Sequence, residues 1–341
     1  MPKVELHVHL EGSMRPRVLL ELARRNGVNL PAQDEDGLRK WFRFRDFDHF
    51  VDVYRTCSRV LCLPEDFQFL VRDFLAMQAE QNVLYSEAHF TISTHLVNGA
   101  GGGEVLSALE EVISEGERSG TRLRLIPDIV RNIGSAAADQ TLEWALAGRG
   151  RGVVAMGLAG IEAGFPNEPY REHFKVARQE GLHCVAHAGE HGGPESIRSV
   201  LEVCGAERIG HGVRAVEDPA LVEELRDRRI PLEVCPTSNL CLGVFPDMAS
   251  HSFDRLYRAG VEVTVNSDDP PLFDTDLTGE YLALHRTFGY GPAELAGFSL
   301  AALRHSFLPP EEKAVLERRF HEEMQGLARD LLGASLELPV S

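Results

Sequence analysis

Residues 182–211 read LHCVAHAGEHGGPESIRSVLEVCGAERIGH, and the order of patterns in this stretch decides the fold. An apolar run ends on His187, a glycine-rich turn follows, an amphipathic segment opens at Pro194 and closes near Cys204, and a second short apolar run ends on His211. Apolar runs of this length bounded by turn residues read as buried strands, and a prolonged 3.6-residue pattern opened by proline reads as a helix. Working outward, the same alternation recurs. Arg122–Val130, Gly152–Leu158, Leu182–His187, Arg208–His211, Ile230–Cys235 and Val261–Ser267 read as strands. Helical patterns at Asp139–Leu146, Tyr170–Glu180, Pro194–Cys204, Pro219–Arg228 and Phe253–Ala259 lie between them. Lys3–Leu10 and Val83–Phe90 supply two earlier strands, and eight strands with intervening helices predict a (β/α)8 TIM barrel. An open doubly wound sheet is the competing architecture, but no Gly-x-Gly-x-x-Gly follows an early strand.

The stretch Pro16–Met77 is helical and too long for an ordinary strand-to-helix connection. It predicts extra helices capping the C-terminal mouth, an insertion at about 14–77 in a single barrel domain spanning 1–341. Within it, Asp46–Leu63 is apolar at helical spacing and Pro64 is expected to end that helix. Gly99–Gly103 is expected to be a flexible surface loop, because no Lys-Ser or Lys-Thr follows to make it a phosphate cradle. Glu312–Leu332 is expected to be a closing amphipathic helix.

The 341 residues are 43 % hydrophobic, enough for a large core, and carry 35 basic against 52 acidic side chains. The resulting formal charge of −17 repels polyanions, so nucleic-acid polymers and anionic membrane surfaces are poor partners and a small molecule fits better. Six scattered cysteines, none in a Cys-x-x-Cys pair, argue against a disulfide scaffold or a thiolate metal cluster. The N-terminus lacks a signal-peptide pattern and no apolar run approaches ~20 residues, which predicts a cytoplasmic protein. Oligomeric state is left open, a homo-oligomer included.

His7 and His9 stand at i and i+2 on the first strand, so both imidazoles face one side, the interior of a barrel. Three more strand ends carry polar groups: His187 with Glu190 just beyond it, His211 between two glycines, and the adjacent Asp268 and Asp269. Any one of them alone reads as a loop histidine or a helix-capping aspartate. All four together would converge at one mouth of the barrel. Imidazoles plus a carboxylate are ligands for zinc or a related divalent ion, and His7, His9, His187 and Asp268 supply three nitrogens and one oxygen. Glu190, His211 and Asp269 then remain for proton transfer and orientation.

The blocks His7-Val-His9-Leu-Glu11-Gly12-Ser13, His187-Ala-Gly-Glu190, Gly210-His211-Gly212 and Ser267-Asp268-Asp269-Pro270 resemble the signature of the adenosine/adenine deaminase family of metal-dependent amidohydrolases. The resemblance spans nearly the whole chain and includes Val234-Cys-Pro-Thr-Ser-Asn239. It implies one Zn2+ per chain held by His7, His9, His187 and Asp268. Glu190 would protonate the ring nitrogen beside the reacting carbon. His211 would position the attacking hydroxide and help deprotonate it, and Asp269 would hold that hydroxide or a ring nitrogen. Gly160 would offer its backbone N–H to the purine, a tight turn being its structural alternative, and Val51 and Tyr54 would form a lid over the sugar side or simply pack the cap. Position 11 departs from the adenosine deaminases, which usually carry aspartate there. Glu11 resembles adenine deaminases and bacterial deaminases acting on aminodeoxyfutalosine. Gly157 is a second departure, where adenosine deaminases often have aspartate. The segment from Asp268 to Tyr281 resembles the nucleoside-acting members. The reading is therefore a zinc-dependent deaminase of an adenine nucleoside, aminodeoxyfutalosine first, with free adenine as the alternative substrate. A non-catalytic metal- or purine-binding barrel is the reading from another class.

Overall fold

The computed structural model describes residues 1–45, 47–333 and 335–336. Eight strands run in sequence order as one parallel sheet: β1 (Lys3–His9), β2 (Val83–Phe90), β3 (Arg122–Val130), β4 (Ala155–Ala159), β5 (His183–Ala188), β6 (Arg208–His211), β7 (Leu232–Val234) and β8 (Val263–Val265). The sheet closes through a Val8–Asp268 bridge in which His9 N–H donates to the Asp268 carbonyl at 2.8 Å and Asp268 N–H donates to the His7 carbonyl at 3.2 Å. The (β/α)8 barrel expected from the alternation is the fold.

Five strands are shorter or shifted relative to the sequence reading, the first of them ending at His9 and not at Leu10. Residues 152–154 make only bridges and turn bonds before β4 begins at Ala155. β5 begins and ends one residue late, at His183 and Ala188. Pro231 has no N–H to donate, and β7 begins after it. Val261 N–H closes the end of the preceding helix on the Leu256 carbonyl, so the first residues of the predicted eighth strand belong to a turn.

The helices, in chain order, are α1 (Pro16–Asn26), α2 (Glu35–Trp41), α3 (Phe47–Arg59), α4 (Pro64–Glu80), α5 (Ile92–Val97), α6 (Gly102–Ser119), α7 (Ser135–Gly148), α8 (Arg171–Gln179), α9 (Pro194–Val203), α10 (Pro219–Asp227), α11 (Pro236–Cys241), α12 (Phe253–Arg258), α13 (Leu277–Phe288), α14 (Pro292–His305) and α15 (Pro310–Leu332). The insertion after β1 is helical as expected, but its last helix, α4, packs on β2 and α6 and so belongs to the outer ring. The expected helix Asp46–Leu63 is α3, which stops at Arg59; Asp46 lies outside the described residues. Pro64 opens α4 rather than ending α3, because a first-turn proline loses no helical hydrogen bond. Gly102 and Gly103, expected in a loop, form the first turn of α6. The closing helix is present as α15.

The lower barrel interior is not a purely aliphatic layer. Arg208 bridges Glu87 and Glu233, with its Nε 2.5 Å from Glu233, and its guanidinium lies 3.8 Å from the Phe307 ring centroid. All three charged side chains are buried, and their mutual pairing is what makes that burial tolerable. Among the described residues no helix is long and apolar enough to cross a membrane.

Candidate active site

The C-terminal ends of β1, β5 and β8 bring four donor atoms together. His9 Nε2 lies 3.2 Å from His187 Nε2, and Asp268 Oδ1 lies 3.4 Å from His9 Nε2 and 3.6 Å from His7 Nε2. His187 Nδ1–H is spent on the Leu158 carbonyl at 3.0 Å, so its Nε2 presents a lone pair. His7 donates from Nδ1 to Glu233 at 2.9 Å, and its Nε2 is buried without a partner. Four ligands on an ion at about 2.0–2.1 Å in tetrahedral array lie about 3.3 Å apart. The donor set therefore fits a divalent metal ion, and the predicted ligands His7, His9, His187 and Asp268 are the ones that converge.

The four groups perturb one another. Burial lowers His7, but Asp268 and Glu233 overcome it and carry that imidazole to about 10. Burial holds His9 down at about 4. His187 is also held low, by burial and then by the neighbouring imidazoles. Burial opposes ionisation of Asp268, but the nearby His7 and the other surrounding imidazoles keep it below its ordinary range. Burial and the adjacent Asp268 push Asp269 up, and its Oδ1 has no partner.

The predicted proton-transfer residues stand around this set. His211 Nε2 lies 3.7 Å from Glu190 Oε2 and 3.9 Å from Asp268 Oδ2. His211 and Asp268 both have positive φ, +62° and +64°, a conformation costing a non-glycine residue about 1 kcal/mol or more and concentrated at functional sites. A relay fixes the His211 ring. Phe253 N–H donates to His251 Nδ1, so the neutral His251 carries its proton on Nε2 and donates it to Asn239 Oδ1 at 3.1 Å. That orients the Asn239 amide to donate to His211 Nδ1 at 3.3 Å. In neutral His211 the proton then sits on Nε2, facing Glu190 and Asp268.

Glu190 is held by its backbone. The half-buried Glu162 carboxylate accepts the N–H groups of Gly189 (2.8 Å), Glu190 (3.1 Å), His191 (2.9 Å) and Gly192 (3.0 Å), and the Ser196 hydroxyl. Arg131 ties the neighbouring strands by donating to the His187 and Gly160 carbonyls.

Of the five predicted substrate contacts, Asp269 stands beside the donor set and the other four separate. Glu11 is fully buried: its Oε1 accepts from Thr91 N–H at 2.8 Å and meets His95 Nε2 at 2.9 Å, while Tyr54 donates to its Oε2 at 3.3 Å. Tyr54 also packs its ring 6.2 Å from that of His9, so α3 reaches the converging imidazoles. Val51 lies one helical turn before Tyr54 on α3, half-buried. Gly160 has φ +86°, and a Cβ there would lie 2.6 Å from Asn132 Oδ1, so the turn itself demands glycine.

Sequence reading missed His89 and Asp128, buried in the site and 2.9 Å apart, as well as Glu162, His251 and the aromatic wall of Phe44, Phe50 and Phe273 beside Tyr54. One signal was available: Asp128 interrupts the otherwise apolar run Leu125–Val130, whereas His89 shares β2 with Ser86 and Glu87.

The sequence profile of the adenosine deaminase family matches residues 2–323. The chain belongs to the adenosine deaminase family. It is a hydrolytic deaminase acting on a carbon–nitrogen bond of adenine-type substrates. An adenine deaminase of Vibrio parahaemolyticus is 37 % identical over 92 % of this chain and 93 % of its own length. An aminodeoxyfutalosine deaminase of Streptomyces coelicolor is 39 % identical over 92 % of this chain and 82 % of its own. An amidohydrolase from Burkholderia ambifaria, solved with bound zinc, superimposes with a TM-score of 0.89 at 26 % identity, covering 98 % of the deaminase chain and 93 % of its own.

Proposed function

We propose that the chain hydrolyses the exocyclic amine of an adenine-containing nucleoside, with aminodeoxyfutalosine as the first candidate, using a zinc ion held by His7, His9, His187 and Asp268. When bound, the ion supplies Lewis acidity and lets a water lose its proton near neutral pH. Glu190 gives its proton to the ring nitrogen beside the amine-bearing carbon, which makes that carbon electrophilic. His211, with its Nε2 proton set by the Asn239 relay, orients the attacking oxygen by donating to it. Asp269, with a buried oxygen that has no protein partner, accepts a hydrogen bond from that oxygen or from the ring. Of the two protons that the water brings, one departs on the amine as ammonia and one returns to Glu190, and an oxo-purine remains.

A metal-bound barrel that merely sequesters a purine needs neither Glu190 nor the relay behind His211, and their presence beside the donor set is the observation that carries catalysis. A nucleoside is favoured over the free base by the aromatic wall Phe44, Phe50, Tyr54 and Phe273, with ring centroids 5.2–6.0 Å apart. That wall offers a face to a substituent larger than hydrogen on the purine. One observation favours free adenine: both oxygens of Glu11 already have protein partners, which leaves less of that carboxylate for a sugar. The discriminating experiment measures kcat/KM for aminodeoxyfutalosine, adenosine and adenine by ammonia release and the absorbance change on loss of the amine. Preference for either nucleoside supports the proposal. A best substrate that is free adenine replaces it with the second reading, and no ammonia from any of the three rejects both.

A further inference from the structure

A neutral imidazole that ligates a metal through Nε2 carries its proton on Nδ1, and such ligands almost always donate that proton to a carboxylate or carbonyl. The structure provides this partner for two of the three histidines: Glu233 for His7 and the Leu158 carbonyl for His187. His9 is the exception. Its Nδ1 is buried and unpartnered, and the nearest carboxylate oxygen in an ion-pair geometry is Asp128 Oδ2 at 3.9 Å, about 1 Å beyond hydrogen-bond reach. Left so, that N–H would be a buried donor without an acceptor, which is costly.

Asp128 is itself built into place. It sits on β3, fully buried, and His89 on β2 holds it from the other side, with Nδ1 2.9 Å from Oδ1 and 3.1 Å from Oδ2. Its register partner on β4 is Gly157, and a Cβ at Gly157 would lie only 1.9 Å from Asp128 Oδ1. The carboxylate occupies the space that a side chain on β4 would otherwise take. His89 in turn packs its ring 4.9 Å from that of His9 and 4.6 Å from that of His7.

We propose that Asp128 is a positioning residue for the metal centre: it accepts the Nδ1–H of His9, held for that task by His89 and admitted by the missing side chain of Gly157. The inference rests on the ligand assignment above, in which His9 binds through Nε2.

The test reads metal affinity, not turnover. Zinc affinity of the purified full chain is measured by chelator competition, with circular dichroism to confirm folding. Asp128→Asn is expected to weaken zinc binding about 10–100-fold while the chain stays folded. His89→Gln, which leaves the carboxylate in place, is expected to weaken it less. The exchange variant Asp128→Gly with Gly157→Asp returns a carboxylate to the same space from β4, and is expected to recover most of the affinity lost in Asp128→Asn. Wild-type affinity in a folded Asp128→Asn overturns the proposal. So does a loss in His89→Gln equal to that in Asp128→Asn, because the effect then belongs to His89. If Asp128→Asn fails to fold, the exchange variant decides: recovery of affinity supports the proposal, and a folded exchange variant that binds zinc poorly overturns it. A wild-type chain that binds no zinc rejects the ligand assignment itself, and so is distinguishable from failure of the Asp128 inference.

Discussion

Glu190 and His211 face one another at 3.7 Å, and the division of work between them depends on where two protons sit. Glu190→Gln keeps the size and the amide-like hydrogen bonding but removes the transferable proton. Turnover is expected to fall roughly 10²-fold or more with metal content unchanged, checked by steady-state kinetics beside elemental analysis. Near-normal turnover would make Glu190 a bystander of the metal. Asn239 tests the other proton. Asn239→Asp replaces the amide donor with an acceptor, so His211 must place its proton on Nδ1 and present a lone pair at Nε2. The expected result is a fall in kcat of about 10-fold or more and a shifted pH–rate profile, with KM little changed. An unaltered profile would show that the relay does not set the His211 tautomer. Neither effect follows from residue type alone, since Asn239 acts only through the atom it turns toward His211.

At the scale of elements, two carboxylates stitch loops and helices to the barrel. Glu162 gathers four consecutive N–H groups of the turn between β5 and α9, the turn that carries Glu190. Charge-assisted bonds of this kind are the strong ones, and Glu162→Gln turns one acceptor oxygen into a donor facing N–H groups. The deaminase should lose at least 10-fold in kcat/KM while retaining its metal, because the four ligands stand on other bonds. Loss of metal with activity would mean that the turn also supports His187. Glu280, on α13, accepts from Thr237 N–H at 3.0 Å and from the Thr275 hydroxyl at 2.7 Å, which pins α13 to the start of α11. Burial raises its carboxyl from 4.5 to about 7 against those two bonds. The folded state therefore binds this proton more tightly than the unfolded chain does. Its contribution to stability is fully present below about pH 4.5 and is lost as pH rises through 7, up to about 3 kcal/mol. Glu280→Gln should remove that part of the slope between pH 5 and 8 in urea unfolding. Identical slopes for wild type and variant would sink the assignment.

Across the whole molecule, the proposed metal site lies where the C-terminal ends of β1, β5 and β8 converge, and β1 and β8 are the strands that close the barrel. The His9 N–H to Asp268 carbonyl bond belongs both to the closure and to the ligand set. An ion held there cross-links the first and last strands, so its removal should destabilise the whole barrel. With free zinc 1,000-fold above Kd, binding stabilises by about 4 kcal/mol. Chelation should therefore lower the melting temperature by several degrees, reversed by adding zinc back, as read by calorimetry. An unchanged melting temperature after verified metal loss would contradict this.

The barrel and the polar side chains that gather at its mouth were legible in the chain because both follow local rules. Strand periodicity of two puts His7 and His9 on one face, and the polar end of each apolar run marks the mouth where parallel strands deliver their side chains. Those rules refer to one segment at a time. What they miss are pairings between segments far apart in sequence. Asp128 reads as a blemish in an apolar strand until β2 sets His89 against it and Gly157 on β4 leaves it room. Glu162 reads as a surface carboxylate until the turn after β5 folds over it. Glu11, expected to face a sugar, is claimed by Thr91, His95 and Tyr54, which stand 43 to 84 residues away. Pro64 marks a helix boundary in either reading, and only the packing of α4 on β2 and α6 shows which helix it starts. Sequence determined the strand order and which imidazoles and carboxylates gather at the mouth, since each depends on backbone period and residue chemistry. Tertiary structure alone decided which buried N–H meets which carboxylate, because that depends on the few ångströms by which neighbouring strands and loops approach one another.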